Sequence, residues 1–293
     1  MKKLIIILLF PFSSVFAQDD LMSMLEAETE DNKEFVFATF KAPRLINGHT
    51  IEQPGQKNLL FIISHRFGQL NRGVYDLFGL DQASIRFGLD YGITDRLSVG
   101  VGRSTYQKNY DGFIKAKILK QATGKGASPV ILSYMGSANI NSLRWPNPDR
   151  QNFFSSRMSF VNQILIARKF SKKISWQVMP THVHKNLVPE ADDSNDIFAI
   201  GTGGRVKLTD WVSIVGEAYF LLNDKASTPQ INNQQPLHSI SGGVEIETGG
   251  HVFQFQFTNS QAMFDTGFIT ETTADWADAG IHFGFNITRT FDL

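Results

Sequence analysis

The sequence predicts an all-β protein, an antiparallel transmembrane β-barrel of about twelve strands with fourteen as the alternative, preceded by a short N-terminal helix or arm. Three observations predict it. In Gln82 to Ile93 the residues Ala83, Ile85, Phe87, Leu89, Tyr91 and Ile93 alternate with Ser84, Arg86, Gly88, Asp90 and Gly92, the period of a sheet with one apolar and one polar face. Most strand candidates are nine residues or longer; a tilted strand crossing a bilayer needs about 9–11 residues, whereas strands of soluble sheets cluster near about 5–6. The connections largely alternate between short turns and long loops, with Gln107 to Asp111 short where length is expected, as barrels with short periplasmic turns and longer outside loops do.

The first 17 residues read as a secretory signal peptide: Lys2 and Lys3, an apolar run from Leu4 to Phe10, then Val15 and Ala17 at the small positions before a cut near Ala17. The run is too short to span a bilayer as a helix, and no later segment approaches the roughly 20 apolar residues such a helix needs. The chain has no cysteine, which excludes a thiol-linked lipid anchor, a disulfide framework and thiolate zinc sites. Without Lys2 and Lys3, 26 basic residues face 28 acidic ones, a formal charge of −2 that offers no field for nucleic acid. The 25 phenylalanines, against 6 tyrosines and 4 tryptophans, suit a lipid-facing band.

After the signal, residues 18-50 are expected to form a periplasmic arm or partial plug, and 51-293 the barrel. Asp19 to Lys33 puts Leu21, Met24 and Leu25 at helical spacing among acids, a short helix or acidic arm. A periplasmic protein partner held through residues 18-34 is the one protein partner the mature chain suggests, beside barrel-insertion machinery, outer-membrane lipid and lipopolysaccharide. Phe35 to Ile46 is strand-like but interrupted by Pro43, which demotes it to an edge or non-strand role; Asn47-Gly48 supplies a turn.

Twelve strands follow, near 58 to 67, 82 to 93, 96 to 106, 112 to 120, 128 to 140, 154 to 170, 173 to 184, 196 to 208, 211 to 223, 237 to 248, 250 to 262 and 279 to 291. An even count leaves both ends of the chain on the side of the short turns. Parity sorts the side chains. Phe253, Phe255 and Phe257 are expected outside with His251, Gln256 and Thr258 opposed; Phe283 and Phe285 outside with His282 and Asn286 inside. The polar parity yields the lumen-lining candidates Arg86, Asp90, Lys115, Lys117, Arg157, Arg205, Lys207, Glu217, Glu245 and Glu247. In a soluble sandwich the same residues would be the wet face; the signal peptide, strand lengths and loop alternation favour the lumen. Phe291 stands third from the end, near where exported barrels carry a terminal aromatic, although that aromatic is usually last and Asp292 and Leu293 follow it here.

The stretches ISHRFG (Ile63 to Gly68), YDLFGLDQASIRFGLDYGITDRLSVGVGRS (Tyr75 to Ser104), YDGFIKAKIL (Tyr110 to Leu119), ATFKAPRLINGHT (Ala38 to Thr50), ARKFS (Ala167 to Ser171) and VHKNLV (Val183 to Val188) resemble a family of bacterial outer-membrane β-barrels. The resemblance covers most of the mature chain and implies that fold and location. The family carries no assigned reaction or substrate, so no site residue transfers from it.

Other constellations read blandly. His182-x-His184 could offer a metal two imidazoles on one strand face, but is expected to be a strand end. Asp192, Asp193, Asn195 and Asp196 lack the spacing of a calcium loop. Gly201-Thr202-Gly203-Gly204 lies within a strand and lacks the lysine and helix of a phosphate cradle. His251, His282 and Glu245 could neighbour a serine, yet no G-x-S-x-G elbow accompanies them. No catalytic residue, metal or cofactor is therefore assigned. The expected function is a passive channel or transporter for a small solute; the alternative is a structural or partner-binding barrel with a filled lumen, and an outer-membrane hydrolase ranks third.

Overall fold

The computed structural model describes residues 33–145 and 147–293; the signal peptide and nearly all of the acidic arm lie outside the described residues. Twelve antiparallel strands close into one barrel in which each pairs with its chain neighbours and the last with the first. They are β1 Asn58–Gln69, β2 Ala83–Thr94, β3 Leu97–Ser104, β4 Tyr110–Leu119, β5 Ile131–Ile140, β6 Met158–Lys169, β7 Ile174–Lys185, β8 Asp196–Lys207, β9 Val212–Leu221, β10 Ser239–Thr248, β11 His251–Thr258 and β12 His282–Asp292. The expected count is met. Two expected strands are shortened: the one expected from residue 154 starts only at Met158, behind a 3-10 turn over residues 154–157, and the chain leaves β11 at Thr258 to turn into the lumen. Among the described residues no helix is long and apolar enough to cross a membrane; the strands do the crossing.

The alternation builds an apolar outer surface. Phe87, Leu89, Ile114, Ile164, Phe198, Ile200, Ile214, Val244, Phe255 and Phe257 are exposed at mid-wall. Aromatic residues gird both ends, with Phe170, Trp176, Trp211 and Phe291 toward the short turns and Phe78, Tyr110, Phe153, Phe154 and Trp276 toward the long loops. This is the banding a bilayer imposes on a barrel. His251 is a correction: residue 251 shares odd parity with Phe253, and its ring stacks on Phe253 outside, at 5.9 Å between centroids.

The inside is packed. Two segments fill it, one from each end. Residues 39–51 enter from the short-turn end and are almost wholly buried. Pro43 to Thr50 folds back as a hairpin, with Arg44 bridged to His49 and the Thr50 amide donating to the Pro43 carbonyl at 3.0 Å. The strand-like stretch of residues 35–46, expected in an edge or non-strand role because of Pro43, pairs only through Glu34–Phe35 with Ala122–Thr123 at the short-turn rim. From the other end, residues 259–272 turn inward as a strap that carries helix α1, Asp265–Thr270, all six residues buried.

An apolar core therefore sits in the lumen: Phe40, Leu45 and Ile51 of the inserted hairpin, Phe264, Phe268 and Ile269 of the strap, and Met135, Leu165, Met179, Ile197 and Tyr219 of the wall. Complete burial of Phe268 and Ile269 is worth about 1.5–3 kcal/mol each. Inward positions on β5 to β8 mix apolar residues such as Met135, Leu165, Met179 and Ile197 with polar ones such as Ser133, Asn139, Gln163 and Gln177, whereas those on β9 to β12 and β1 to β4 are largely polar. The expected polar lumen face describes that second arc best, although Leu60, Ile62, Phe113, Val215 and Tyr219 interrupt it.

Candidate functional site

The polar arc meets the hairpin, and the contacts are chemically matched. A backbone turn carried into a barrel interior brings N–H and C=O groups that must find partners there. Glu217, inward on β9, accepts from the amides of Ile46, Asn47 and Gly48 at 3.2, 2.8 and 3.0 Å. Gln254 donates to the Arg44 and Leu45 carbonyls at 3.1 and 2.8 Å, and Asn286 to the Ile46 carbonyl at 2.8 Å. Gln177 donates to the His49 carbonyl at 2.7 Å and accepts from the Ile51 amide at 2.9 Å. Lys115 donates to the Thr50 carbonyl at 3.0 Å and to that of Glu52. Arg66 holds the Asn47 side chain at 2.7 Å.

The fit is steric as well. A Cβ on residue 48 would lie 2.1 Å from the Tyr219 hydroxyl, so only glycine passes there. A Cβ at Gly92 in the wall would lie 2.0 Å from the carbonyl oxygen of Gly55, where the hairpin leaves the lumen.

Hairpin and strap meet at His49. The Arg44 guanidinium donates to His49 Nδ1 at 2.5 Å, which puts the ring proton on Nε2, facing the Asp265 carboxylate of α1 at 3.7 Å. Burial first, and the neighbouring Arg44 second, push the imidazole down to about 3, so it is neutral. Burial alone would raise Asp265, but His49 and Arg44 outweigh it and hold the carboxyl below its usual range.

The ten sequence-predicted residues fall into three groups. Arg86, Asp90, Lys115, Arg205, Glu217 and Glu245 are buried inside. Of these, Arg86 pairs with Asp111, with Nε to Oδ1 at 2.9 Å; Arg205 pairs with Glu245 at 2.7 Å; Asp90 lies 3.8 Å from Arg44. Lys117, Lys207 and Glu247 sit half-buried near the short-turn mouth, where Lys207 meets Asp210 at 2.8 Å and Glu247 meets Lys41 of the inserted segment at 2.6 Å. Arg157 is off the lumen wall. It precedes β6, donates to the Asn141 carbonyl at 2.8 Å and lies 3.8 Å over the Trp145 ring. The expected strand began four residues too early there, which carried its parity into a turn.

Parity placed Asn286 inside and could have found Gln177, Gln254 and Arg66 on the polar face as well; attention to charge passed over the two glutamines. Other constellations dissolve. His251 and His282 lie at opposite ends of the β11–β12 ladder, paired with Arg289 and Thr258, so they do not converge with Glu245. His182 and His184 share one Asp196 oxygen at 2.8 Å each, a hydrogen-bonded rim cluster on the outer face. Asp193 accepts from the Glu190 amide at 3.0 Å, which turns part of the acidic loop inward on itself.

Comparison with known proteins finds distant likenesses among solved structures. They include the NanC porin (9% identity, TM-score 0.48, covering 80% of this chain and 100% of that one) and the KdgM porin (9%, 0.46, 79% and 99%). An outer-membrane channel from Pseudomonas putida F1 aligns at 11% identity and TM-score 0.47, over 82% and 97% of the two chains. No curated protein matches the sequence. A family model described as a membrane-bound beta barrel domain, DUF5777, matches residues 40–291, a span that takes in nearly all of the inserted hairpin, the twelve barrel strands and the strap. The chain therefore belongs to this family of membrane-bound beta barrel domains.

Proposed function

We propose that the protein is an outer-membrane channel for a small solute, kept shut by its own N-terminal hairpin. The short turns then face the periplasm and the long loops the outside. The observation that carries this reading is Glu217. It is buried in the wall and its hydrogen-bond partners are three amides of the inserted hairpin. Burying ionised groups costs several kcal/mol each before pairing, and a permanently filled barrel could use apolar side chains at lower cost. A wall that carries Arg66, Lys115, Glu217, Gln254 and Asn286 on one arc suits a lumen that is wet when the hairpin is out.

The experiment is planar-bilayer conductance of the full chain and of a variant lacking residues 34–56, with and without further deletion of the strap. The full chain is expected to be silent or to open rarely. The first deletion should raise the current and the second raise it further. Barrels that fold but stay silent after both deletions would sink the channel.

The apolar cluster of wall residues such as Met135, Leu165, Met179 and Ile197 with Phe268 and Ile269 favours a second reading, a filled barrel that serves as a structural or partner-binding body. Silence after both deletions is its expected result.

A further inference from the structure

A cavity of about 340 Å³ opens among the long loops, beyond both filling segments. The strap is its floor, through Phe264, Thr266 and Glu271, and β7, the β3–β4 connection and the β5–β6 loop are its walls. Glu271 is the one carboxylate among the described lining residues, against the cations Arg144, Arg157 and Lys185. That carboxylate accepts from Lys185 Nζ at 2.9 Å and from Gln107 Nε2 at 2.7 Å, with both charged side chains largely shielded from solvent. Trp145 adds an aromatic wall backed by the Arg157 guanidinium. The volume lies in the range of about 300–1,000 Å³ typical of small-molecule sites, and an apolar wall with a few convergent polar groups is their usual make-up.

We propose that this vestibule binds a small organic anion whose carboxylate takes the place of Glu271 on Lys185 and Gln107. The cavity has more positive charge than its own carboxylate balances, and the donors that would receive an anion are those that now hold the strap. Occupancy and strap attachment therefore compete for the same two side chains. An incoming anion repels Glu271 and deprives it of both partners, which frees the strap from the wall at its outer end. The anion site stands on the cavity alone; release of the strap as an opening step rests on the channel reading.

Three probes of similar size, succinate, succinamide and 1,4-diaminobutane, are titrated into the folded full chain in detergent. Tryptophan fluorescence is the readout, with Trp145→Phe identifying the responding ring. Succinate is expected to saturate the signal and to bind at least tenfold more tightly than succinamide, as a charge-assisted hydrogen bond in place of a neutral one implies. Lys185→Met should weaken succinate at least tenfold. Glu271→Gln should tighten it, because the competitor is removed, an outcome that damage to the fold would not produce. Equal binding of all three probes, or weakening by Glu271→Gln in a barrel that still migrates as folded on an unheated gel, overturns the proposal. Selective succinate binding by a barrel that stays silent after both deletions keeps the anion site and sinks the channel; conductance without selective binding does the reverse.

Discussion

Single side chains decide whether the hairpin stays docked. Removing the Glu217 carboxylate strands three amides in a site closed to bulk water, and each unsatisfied buried donor costs about 1–3 kcal/mol. Glu217→Ala is thus expected to loosen the hairpin while the strand ladder persists; Glu217→Gln, which keeps an acceptor oxygen, should do so less. Trypsin cleavage after Arg44, which is buried in the hairpin, reads the difference on folded protein in detergent. His49 adds a pH dependence whose sign follows from its burial. Docked, its imidazole is held down to about 3; undocked, it returns to about 6.5. The undocked state therefore takes up a proton below pH 6.5 that the docked state refuses, and docking is complete above that value and weakens as the pH falls toward 3. Asp265, held low when docked, adds stability that is lost only below the ordinary carboxylate range. At pH 5 the His49 effect amounts to ~2 kcal/mol. Openings in planar bilayers should be more frequent at pH 5 than at 7.5, and His49→Gln should remove most of that difference.

At the scale of elements, the strands were legible because lipid on one side and protein on the other enforce a period of two over nine or more residues. All twelve follow from that and from the turns. What fills the barrel was not legible. Residues 39–51 carry no periodicity, since their amides bond to wall side chains such as Glu217 and Gln177 rather than to a neighbouring strand. The strap read as the end of a strand up to residue 262 and as an outside loop beyond it, though Met263, Phe264, Phe268 and Ile269 are more apolar than a wet loop needs. The weak alternation of β5 to β8 was the matching sign: Met135, Leu165, Met179 and Ile197 face inward, and an apolar lumen face requires something apolar to cover it. Two buried ion pairs close within the wall itself, Arg86 with Asp111 and Arg205 with Glu245. Arg86 on β2 spans β3 to reach Asp111 on β4. Breaking a buried pair by removing one partner costs about 3–5 kcal/mol. Asp111→Asn should thus lower the urea midpoint of barrel unfolding, with Asp111→Glu closer to the parent, and the hairpin of residues 43–50 should remain docked because its hydrogen bonds to the wall run through other residues, Glu217, Gln254, Asn286 and Gln177.

The whole molecule is asymmetric from end to end, and its orientation follows from that asymmetry. One end has two- to four-residue turns such as Gly249-Gly250 and Phe170 to Lys173, apart from the longer link between β4 and β5; it also receives the N-terminal segment. The other end has loops long enough to build the anion cavity and to send a strap back inside. An outer-membrane barrel is expected to keep its short turns in the periplasm, where the N-terminal segment enters, and to expose its long loops. Trypsin has exposed targets at both ends: Arg144, Arg150 and Lys225 in the long loops, Arg96, Lys172 and Lys173 in the short turns. On intact cells, cuts after Arg144 or Arg150 should appear while those after Arg96 and Lys172 are spared. Permeabilising the outer membrane should then expose the short-turn sites, to the extent that tight turns admit the protease. Mass spectrometry of the released peptides checks both halves. Cleavage at Lys172 and Lys173 with intact long loops in unpermeabilised cells would invert the barrel, put the hairpin mouth outside, and place the anion cavity on the side from which no external solute arrives.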